Sequence, residues 1–214
     1  MTSSARVYAG VEGDQRRAER RAQLIEAGLD LLGAAGSSGA ASGRGRSEAT
    51  VSVRGVCKRA GLASRYFYES FDDRDALLVA VYDHAVERIA AGTLRAVAEA
   101  PQSERAFVRA GVAHIVRAVA EDPRLGRIIF SAPVNSVLAQ RRLESARMFA
   151  GLATAQAADL FSMPAGPRLD VVAHFVVGGL AQVMTAWLDG TVDADEADLV
   201  ERCTELMIAA AGVR

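Results

Sequence analysis

The side chains best suited to bind another molecule are crowded into residues 57–71, CKRAGLASRYFYESF. Tyr66 and Tyr68 carry hydroxyl groups that can donate a hydrogen bond to a phosphate oxygen. The guanidinium group of Arg65 can form two parallel hydrogen bonds to a flat pair of acceptors. The combination is suited to binding phosphate groups and flat groups that present two adjacent hydrogen-bond acceptors.

Catalytic and metal-binding patterns do not stand out in the sequence. His84, His114 and His174 stand on three different predicted helices, and none has another histidine or a cysteine three or four residues away. A metal site would therefore require tertiary convergence, and each histidine can equally line a cavity or bond a backbone carbonyl. No serine, histidine and aspartate order, paired catalytic carboxylates or nucleophile elbow is evident. We expect no enzyme activity, no metal and no cofactor.

Positive charge is concentrated around the same segment. The 214-residue chain has a net charge of −1, so it is not a polycation as a whole. Residues 16–68 hold ten Lys or Arg against four Asp or Glu, whereas residues 69–214 hold fourteen against twenty. This asymmetry suggests a basic binding module on an acidic body.

The cysteines, the N-terminal sequence and the apolar runs indicate where in the cell the protein is found. Cys57 and Cys203 are isolated, which is not the pattern of a disulfide scaffold or a zinc site. We expect both thiols to pack in the interior, with Cys203 in the core or a dimer interface, in a reducing cytoplasm. The N-terminus has no secretory pattern, and we expect no apolar run free of charge to approach membrane-spanning length. A cytoplasmic protein with no membrane span is predicted.

Apolar residues recur at helical spacing, and no strand pattern is convincing. We predict a disordered arm over 1–15, a helix over 16–35 and a Gly/Ser/Arg loop over 36–50. Ser52 is expected to cap a short helix over 53–60 that Gly61 ends. Further helices are predicted over 63–70 and 73–98 and then from Ser103, Pro123, Asn135 and Pro167 onward, with capping boxes at Asp72 and Asp193. The result is an all-α protein of about nine helices.

Two short helices joined by a tight glycine turn form a helix-turn-helix, whose second helix lies in the major groove of DNA. Small or apolar side chains let the first helix pack closely on the second: Val53, Val56, Cys57 and Ala60. Larger apolar side chains are expected to anchor both helices: Leu62, Phe67 and Phe71. The remaining side chains of the second helix are expected to face outward: Ser64, Arg65, Tyr66, Tyr68 and Glu69.

Residues 52–78, SVRGVCKRAGLASRYFYESFDDRDALL, resemble the DNA-binding domain of the tetracycline-repressor (TetR) family of bacterial transcription regulators. The shared features are the capping Ser52, the Ala-Gly-Leu turn at Gly61, and the spacing of Tyr68, Phe71 and Arg74. Residues 176–190 and 197–207 are similar to the last two helices of that family. The resemblance implies a helix-turn-helix domain over 16–78 and a ligand-binding and dimerisation domain over 79–214.

The resemblance also implies roles for single residues. Tyr68 and Arg74 match phosphate contacts, and Ser52 matches a cap that can also touch phosphate. Base-facing positions are implied for Arg54, Ser64, Arg65 and Tyr66.

Three features depart from the family pattern. Ala63 stands where a capping Ser or Thr is usual, and Ser70 stands where a His or Tyr is common. The 36–50 loop is unusually long. Its arginines, Arg44 and Arg46, either reach the DNA or lie in a loop without function.

The second domain is expected to form a four-helix dimer interface that includes Val176, Leu180, Val183, Met184, Trp187, Leu199 and Leu206. The resemblance also implies a ligand cavity in this domain. Large or polar residues on inward helix faces are expected to line it: His84, Arg88, His114, Phe130, Asn135, Met148, Phe149, Phe175 and Trp187. Their apolar majority suggests an apolar or amphipathic small molecule. The predicted function is a ligand-released repressor that binds a palindromic operator as a homodimer. The alternatives are an activator of the same fold, or a helical small-molecule-binding protein or enzyme with a vestigial motif.

Overall fold

A computed structural model describes residues 4–35, 51–131, 135–161, 164 and 166–212. These residues form nine helices and no strand: α1 Ser4–Ala35, α2 Val53–Ala60, α3 Ser64–Tyr68, α4 Arg74–Ala98, α5 Glu104–Glu121, α6 Pro123–Phe130, α7 Ser136–Phe161, α8 Pro167–Leu188 and α9 Glu196–Ala211. The predicted all-α fold of about nine helices is confirmed. The predicted loop over 36–50, with Arg44 and Arg46, lies outside the described residues.

The chain divides into two compact units, Met1–His84 and Ala85–Arg214. The division falls within α4, slightly beyond the domain boundary expected at residue 78. The first unit contains the helix-turn-helix, and the second contains the helices from the latter part of α4 to α9.

The first unit is built around fully buried apolar side chains from four helices, among them Leu24, Val56, Phe67 and Leu77. Gly28 on α1 is required by the packing, because a Cβ atom there would lie 2.6 Å from Cγ2 of Val81 on α4. Glycine therefore permits α1 and α4 to approach closely. Cys57 is buried in this core, as the sequence predicts.

Helix α1 begins much earlier than expected. It starts at Ser4, so the prediction of a disordered arm over 1–15 is wrong for the described residues of that range. The segment contains Ala, Arg, Glu and Gln, which all have high helix propensity, and Gly10 and Gly13 do not interrupt the helix.

The caps of the helix-turn-helix follow the sequence closely. Ser52 Oγ accepts a hydrogen bond from the backbone N–H of Gly55 at 3.1 Å, which satisfies one of the free donors at the start of α2. Gly61 ends α2 in the left-handed conformation, with φ of 69°. Helix α3 is shorter than the predicted 63–70 and ends at Tyr68.

Two predicted caps are displaced by one or two residues. Asp73, not Asp72, caps α4, with Oδ1 accepting from the N–H of Ala76 at 2.8 Å. Asp195, not Asp193, caps α9, with Oδ1 accepting from the N–H of Asp198 at 2.8 Å. Each site has neighbouring aspartates, so the sequence pattern allowed more than one register.

The second unit pairs α5 with α9 and packs α8 against α6, α7 and α9. Asp122 joins three segments of this unit. It accepts hydrogen bonds from the backbone N–H of Arg124 at 3.2 Å and from Nε of Arg124 at 2.8 Å, and it lies 3.5 Å from Nη1 of Arg88 on α4. The hydrogen bonds from Arg124 lower the pKa of Asp122 despite its partial burial.

Cys203 is buried in α9, and burial raises the pKa of its thiol. A raised pKa leaves little thiolate at neutral pH, which agrees with a packing role for Cys203.

Helix α8 is more apolar than expected. An 18-residue stretch of it has a mean hydropathy of 1.6, and only 11% of that stretch is buried within the chain. The expectation that no apolar run approaches this length is therefore wrong. Within the described part of the chain, α8 is the one helix long and apolar enough to cross a membrane by length and composition. It also packs within its unit through Leu169, Ala173 and Met184, so it has a buried face and an uncovered one.

Candidate nucleic-acid interface

The turn between α2 and α3 brings the two helices together as a compact motif. The N–H of Leu62 donates to the carbonyl oxygen of Cys57 at 3.0 Å, and the N–H of Gly61 donates to that of Lys58 at 3.4 Å. These bonds satisfy carbonyl groups that the end of α2 would otherwise leave free. The chain then turns directly into α3, which we call the recognition helix.

The recognition helix has a buried side and an exposed side. Phe67 is completely buried, and Phe71 just beyond the helix is 5% exposed. Ser64, Arg65 and Glu69 are exposed, and Tyr68 is 62% exposed. The phenylalanines therefore anchor the helix while polar side chains line its free surface, which is the orientation expected from the sequence.

Tyr66 is only half-buried and does not stand free in the way that Tyr68 does. The Cζ atoms of Arg65 and Arg20 each lie 4.6 Å from the centroid of its ring. Nη2 of Arg65 donates to the Tyr66 hydroxyl oxygen at 2.7 Å. This hydrogen bond is the main cause of the raised pKa of Arg65, whose guanidinium is charged at any physiological pH.

Arg20 is a part of this surface that sequence reasoning missed. It lies on α1, and its Nη2 is 3.3 Å from Oε2 of Glu69. No local pattern could have shown the contact, because 49 residues separate the two partners. Arg59, by contrast, is held against α1, with Nε donating to Oδ2 of Asp30 at 2.7 Å. Arg59 therefore helps to join α1 to α2.

The other predicted DNA contacts lie on or beside the helix-turn-helix. Ser52 and Arg54 are exposed at the start of α2. Arg74 is half-buried at the start of α4, with Nη2 3.4 Å from Oδ1 of Asp75. Ala63 occupies the cap position of α3 and makes no side-chain hydrogen bond there, as its apolar side chain requires. Ser70 donates to the carbonyl oxygen of Tyr66 at 3.2 Å.

The nine predicted ligand-lining residues do not share one environment. Phe130 is buried, and His84, His114, Phe149 and Trp187 are half-buried. Met148 is 50% exposed and Phe175 is 69% exposed, so the assumption that these two face inward is wrong. Helical spacing shows which residues share a face but not which face a neighbouring helix covers.

Three residues of the ligand prediction have structural partners. Asn135 caps α7, with Oδ1 accepting from the N–H of Leu138 at 2.9 Å. Trp187 donates from Nε1 to the carbonyl oxygen of Ala194 at 2.9 Å. Arg88 is exposed beside Asp122, so the assumption that it faces inward is also wrong.

The predicted dimer residues fall into two groups. Met184 is fully buried and Leu199 is 3% exposed, so neither is free to contact a second copy, and their inclusion in an interface is wrong. Val176, Leu180, Val183 and Trp187 are half-buried, and Leu206 is 65% exposed. The uncovered face of α8 instead includes Val171 and Phe175, each 69% exposed.

The described residues contain no cluster of three or more His, Cys, Asp or Glu side chains able to hold a metal ion. The three histidines do not converge with such ligands there.

No protein-family model matches the sequence, and no curated protein matches it significantly. Solved structures do match. The fatty acid degradation regulator FadR from Bacillus halodurans aligns with a TM-score of 0.69 at 16% identity, covering 91% of this chain and 96% of that protein. A putative TetR-family transcriptional regulator from Syntrophomonas wolfei aligns with a TM-score of 0.71 at 12% identity, covering 92% and 97%.

A third match is FadR from Bacillus subtilis in complex with stearoyl-CoA, with a TM-score of 0.65 at 16% identity, covering 88% of this chain and 97% of that chain. The alignments extend over nearly the whole length of both chains. This protein therefore has the fold of TetR-like transcriptional regulators, and the resemblance found in residues 52–78 is confirmed at the level of the fold.

Proposed function

We propose that this protein is a transcriptional regulator that binds a palindromic DNA operator as a homodimer and is released by a small-molecule ligand. The observation that carries the proposal is the two-sided recognition helix, in which Phe67 is fully buried while Arg65 and Tyr68 are exposed. The exposed side thus carries a guanidinium group and a phenol hydroxyl, which can contact base edges and phosphates. The fold shared with TetR-like regulators supports the same function.

The charge distribution supports the assignment of DNA binding to the first unit. The excess of positive charge over residues 16–68 lies on the sequence that contains α2 and α3. Electrostatic attraction to phosphates provides most of the affinity for any duplex, and contacts to base edges provide selectivity. Tyr68 and Arg74 are proposed as phosphate contacts that position the helix, with Arg54 facing the bases and Arg65 as the reader of a base edge.

A mobility-shift experiment with fragments from upstream of the protein's own gene tests DNA binding. We expect one fragment to be shifted in the presence of excess nonspecific DNA, because base contacts add to the phosphate term. The salt concentration must be held constant, since phosphate contacts weaken steeply with salt. Failure to shift any duplex even at low salt would contradict the proposal and would favour a small-molecule-binding protein with a vestigial motif.

Homodimer formation through the uncovered faces of α8 and α9 is part of the proposal. Val171, Phe175, Gly178 and Gln182 recur at three- or four-residue spacing and are exposed. A Cβ atom at Gly178 or at the next residue, Gly179, would meet nothing within 4 Å, so a partner helix could approach closely there. Large exposed apolar patches are uncommon on soluble monomers. A second copy of the chain would cover this face, since a two-fold dimer also matches a palindromic site.

The ligand is proposed to be apolar or amphipathic. Phe130 and Phe149 lie buried and half-buried in the second unit, and one protein of this fold was solved with stearoyl-CoA. Titration of acyl-CoA thioesters of increasing chain length into the preformed protein–DNA complex tests the ligand class. We expect release by long chains and none by free CoA. Release by free CoA would contradict an apolar ligand. Failure of every acyl-CoA thioester to release the DNA would contradict a ligand with an acyl chain.

Repression is distinguished from activation by transcription in vitro from the promoter next to the bound site. A repressor lowers the amount of transcript and the ligand restores it. Increased transcription on addition of the protein would establish the activator alternative.

A further inference from the structure

Arg20 makes unusual contacts for a charged residue of a scaffold helix. Its side chain is only 25% exposed, and its Nε atom is buried without a hydrogen-bond acceptor among the described residues. A buried N–H group without an acceptor is unfavourable. Other contacts must therefore hold the guanidinium where it is. They are the Tyr66 ring, 4.6 Å from Cζ, and the Glu69 carboxylate, 3.3 Å from Nη2.

Both of these contacts are on residues in or next to the recognition helix. Arg20 thus connects α1 to the ring of Tyr66, the residue that follows Arg65 in the sequence. The guanidinium is attracted to the negative face of the ring and to the carboxylate, and it restrains both. The plane of the Tyr66 ring is therefore restrained by a residue outside the helix-turn-helix.

Arg65 depends on the same ring. Its Cζ also lies 4.6 Å from the Tyr66 centroid, and its Nη2 donates to the Tyr66 hydroxyl at 2.7 Å. Two positive charges would repel each other near one ring, and the negative charge of Glu69 offsets that repulsion. The side chain of Arg65, although exposed, is thus held in a defined conformation by Tyr66.

We propose, on the basis of the DNA-binding function proposed above, that Arg20 is a positioning residue that acts through Tyr66 to hold Arg65 ready for base recognition. Arg20 fixes the Tyr66 ring, and the ring and its hydroxyl fix the guanidinium of Arg65. A side chain that is ordered before binding loses less conformational entropy when it binds. Phosphate contacts do not need this order, so Arg20 affects discrimination between sequences more than affinity for any duplex.

The test compares Arg20→Met with Arg21→Met. Arg21 is a matched control, because it is the next residue of α1 and its Cζ lies 4.9 Å from the ring centroid of the core residue Phe71. Both variants lose one positive charge and one cation–aromatic contact. Binding to the selected operator and to a scrambled duplex is measured at one salt concentration.

We expect both variants to bind the scrambled duplex similarly weakly, because they lose the same charge. Only Arg20→Met should lower the ratio of operator affinity to scrambled affinity, by about 3- to 10-fold, a part of the effect of a bidentate base contact. Equal ratios in Arg20→Met and Arg21→Met would overturn the proposal, since Arg20 would then act as an ordinary charge.

A double variant shows whether Arg20 acts through Arg65. Once Arg65 is replaced by Ala, the additional change Arg20→Met should leave the discrimination ratio unchanged. A further loss of the same size in the double variant would mean that Arg20 contacts the DNA independently, which contradicts a positioning role.

Arg20→Lys provides a test if Arg20→Met does not fold. Lysine keeps the charge but lacks the flat guanidinium that can both stack on a ring and bond a carboxylate. We expect unchanged affinity for the scrambled duplex and a reduced ratio, whereas full discrimination by Arg20→Lys would refute the proposal. Failure of the DNA-binding function itself would look different, because the wild-type protein would then prefer no sequence at all.

Discussion

Phe67 and Tyr68 are neighbours in the sequence, but Phe67 points into the core and Tyr68 lies on the exposed side of the recognition helix. Phe67 has no exposed surface and Tyr68 is 62% exposed, while their rings meet edge to face with centroids 5.3 Å apart. The edge-to-face contact gives the exposed ring a fixed support. A buried anchor and an exposed contact are thus adjacent in the chain, so the position of Tyr68 depends directly on the packing of Phe67.

This pair predicts different effects of truncation on stability. Phe67→Ala should lower the free energy of unfolding of the first unit by about 3–5 kcal/mol, because it leaves a cavity in the core. Tyr68→Ala should lower it by less than about 1 kcal/mol, since the side chain is mostly exposed. Urea denaturation followed by circular dichroism checks both. Equal losses in the two variants would mean that Phe67 is not the anchor of the recognition helix.

Capping of the two short helices predicts that substitutions at two cap positions change the stability in opposite directions. Ser52→Ala removes the acceptor for the N–H of Gly55 and should destabilise the protein by about 1 kcal/mol. Ala63→Ser supplies a cap where α3 has none and should stabilise it by about 0.5–1 kcal/mol. Thermal melts of both variants and of the wild type measure the difference. A loss of stability in Ala63→Ser would show that the start of α3 has no room for a capping side chain.

A single substitution that introduces a charge tests the proposed dimer face. Phe175→Glu should weaken self-association by at least about tenfold, or 1.4 kcal/mol, because it places a carboxylate in an apolar interface. Leu94→Glu is the matched control, since Leu94 is also an exposed apolar residue, 56% exposed, but lies on a different helix, α4. Sedimentation equilibrium over a range of concentrations measures both. If Leu94→Glu dissociates the dimer and Phe175→Glu does not, the interface lies elsewhere.

His114 predicts a specific dependence of stability on pH. Its ring packs against Gly92, where a Cβ atom would overlap it. Burial, then the charges of Arg117 and Arg95, lower its pKa from the ordinary value of 6.5, against an opposing effect of Glu121. The unfolded chain therefore binds the proton more readily than the folded chain does. The contribution to stability is present above pH 6.5 and is lost as the pH falls through the folded pKa.

His114→Gln should remove that part of the pH dependence. Asp122 acts in a separate and more acidic window, because its own lowered pKa starts from 3.8 and its contribution is lost only as the pH falls through that range. Chemical denaturation at a series of pH values between about 5 and 8 checks the prediction. An unchanged slope in the variant would show that protonation of His114 is not coupled to folding.

Much of the helix-turn-helix was predictable because its determinants are local. Ser52 and Gly61 act on backbone groups within four residues, and the burial of Phe67 and Phe71, four residues apart, follows from the helical period. These features need no knowledge of the rest of the chain.

Features that depend on distant residues were not predictable in the same way. The position of Arg20 over Tyr66 depends on how α1 crosses the recognition helix. The burial of Met184 and the exposure of Phe175 depend on which side of α8 its neighbours cover. Both residues are apolar, so the helical pattern alone could not assign them to a core or to an interface.

The central claim is that the exposed side of the recognition helix reads a duplex. Selection of bound DNA from a random pool by the wild-type, Arg65→Ala and Tyr68→Phe proteins, at one salt concentration, tests it most directly. We predict an inverted repeat for the wild type. Arg65→Ala should relax the preference at one position of each half-site, at a cost of about 1–3 kcal/mol. Tyr68→Phe should weaken binding to all sequences by similar factors. Enrichment of no sequence by the wild type, or the same motif with undiminished discrimination after loss of Arg65, would contradict the claim.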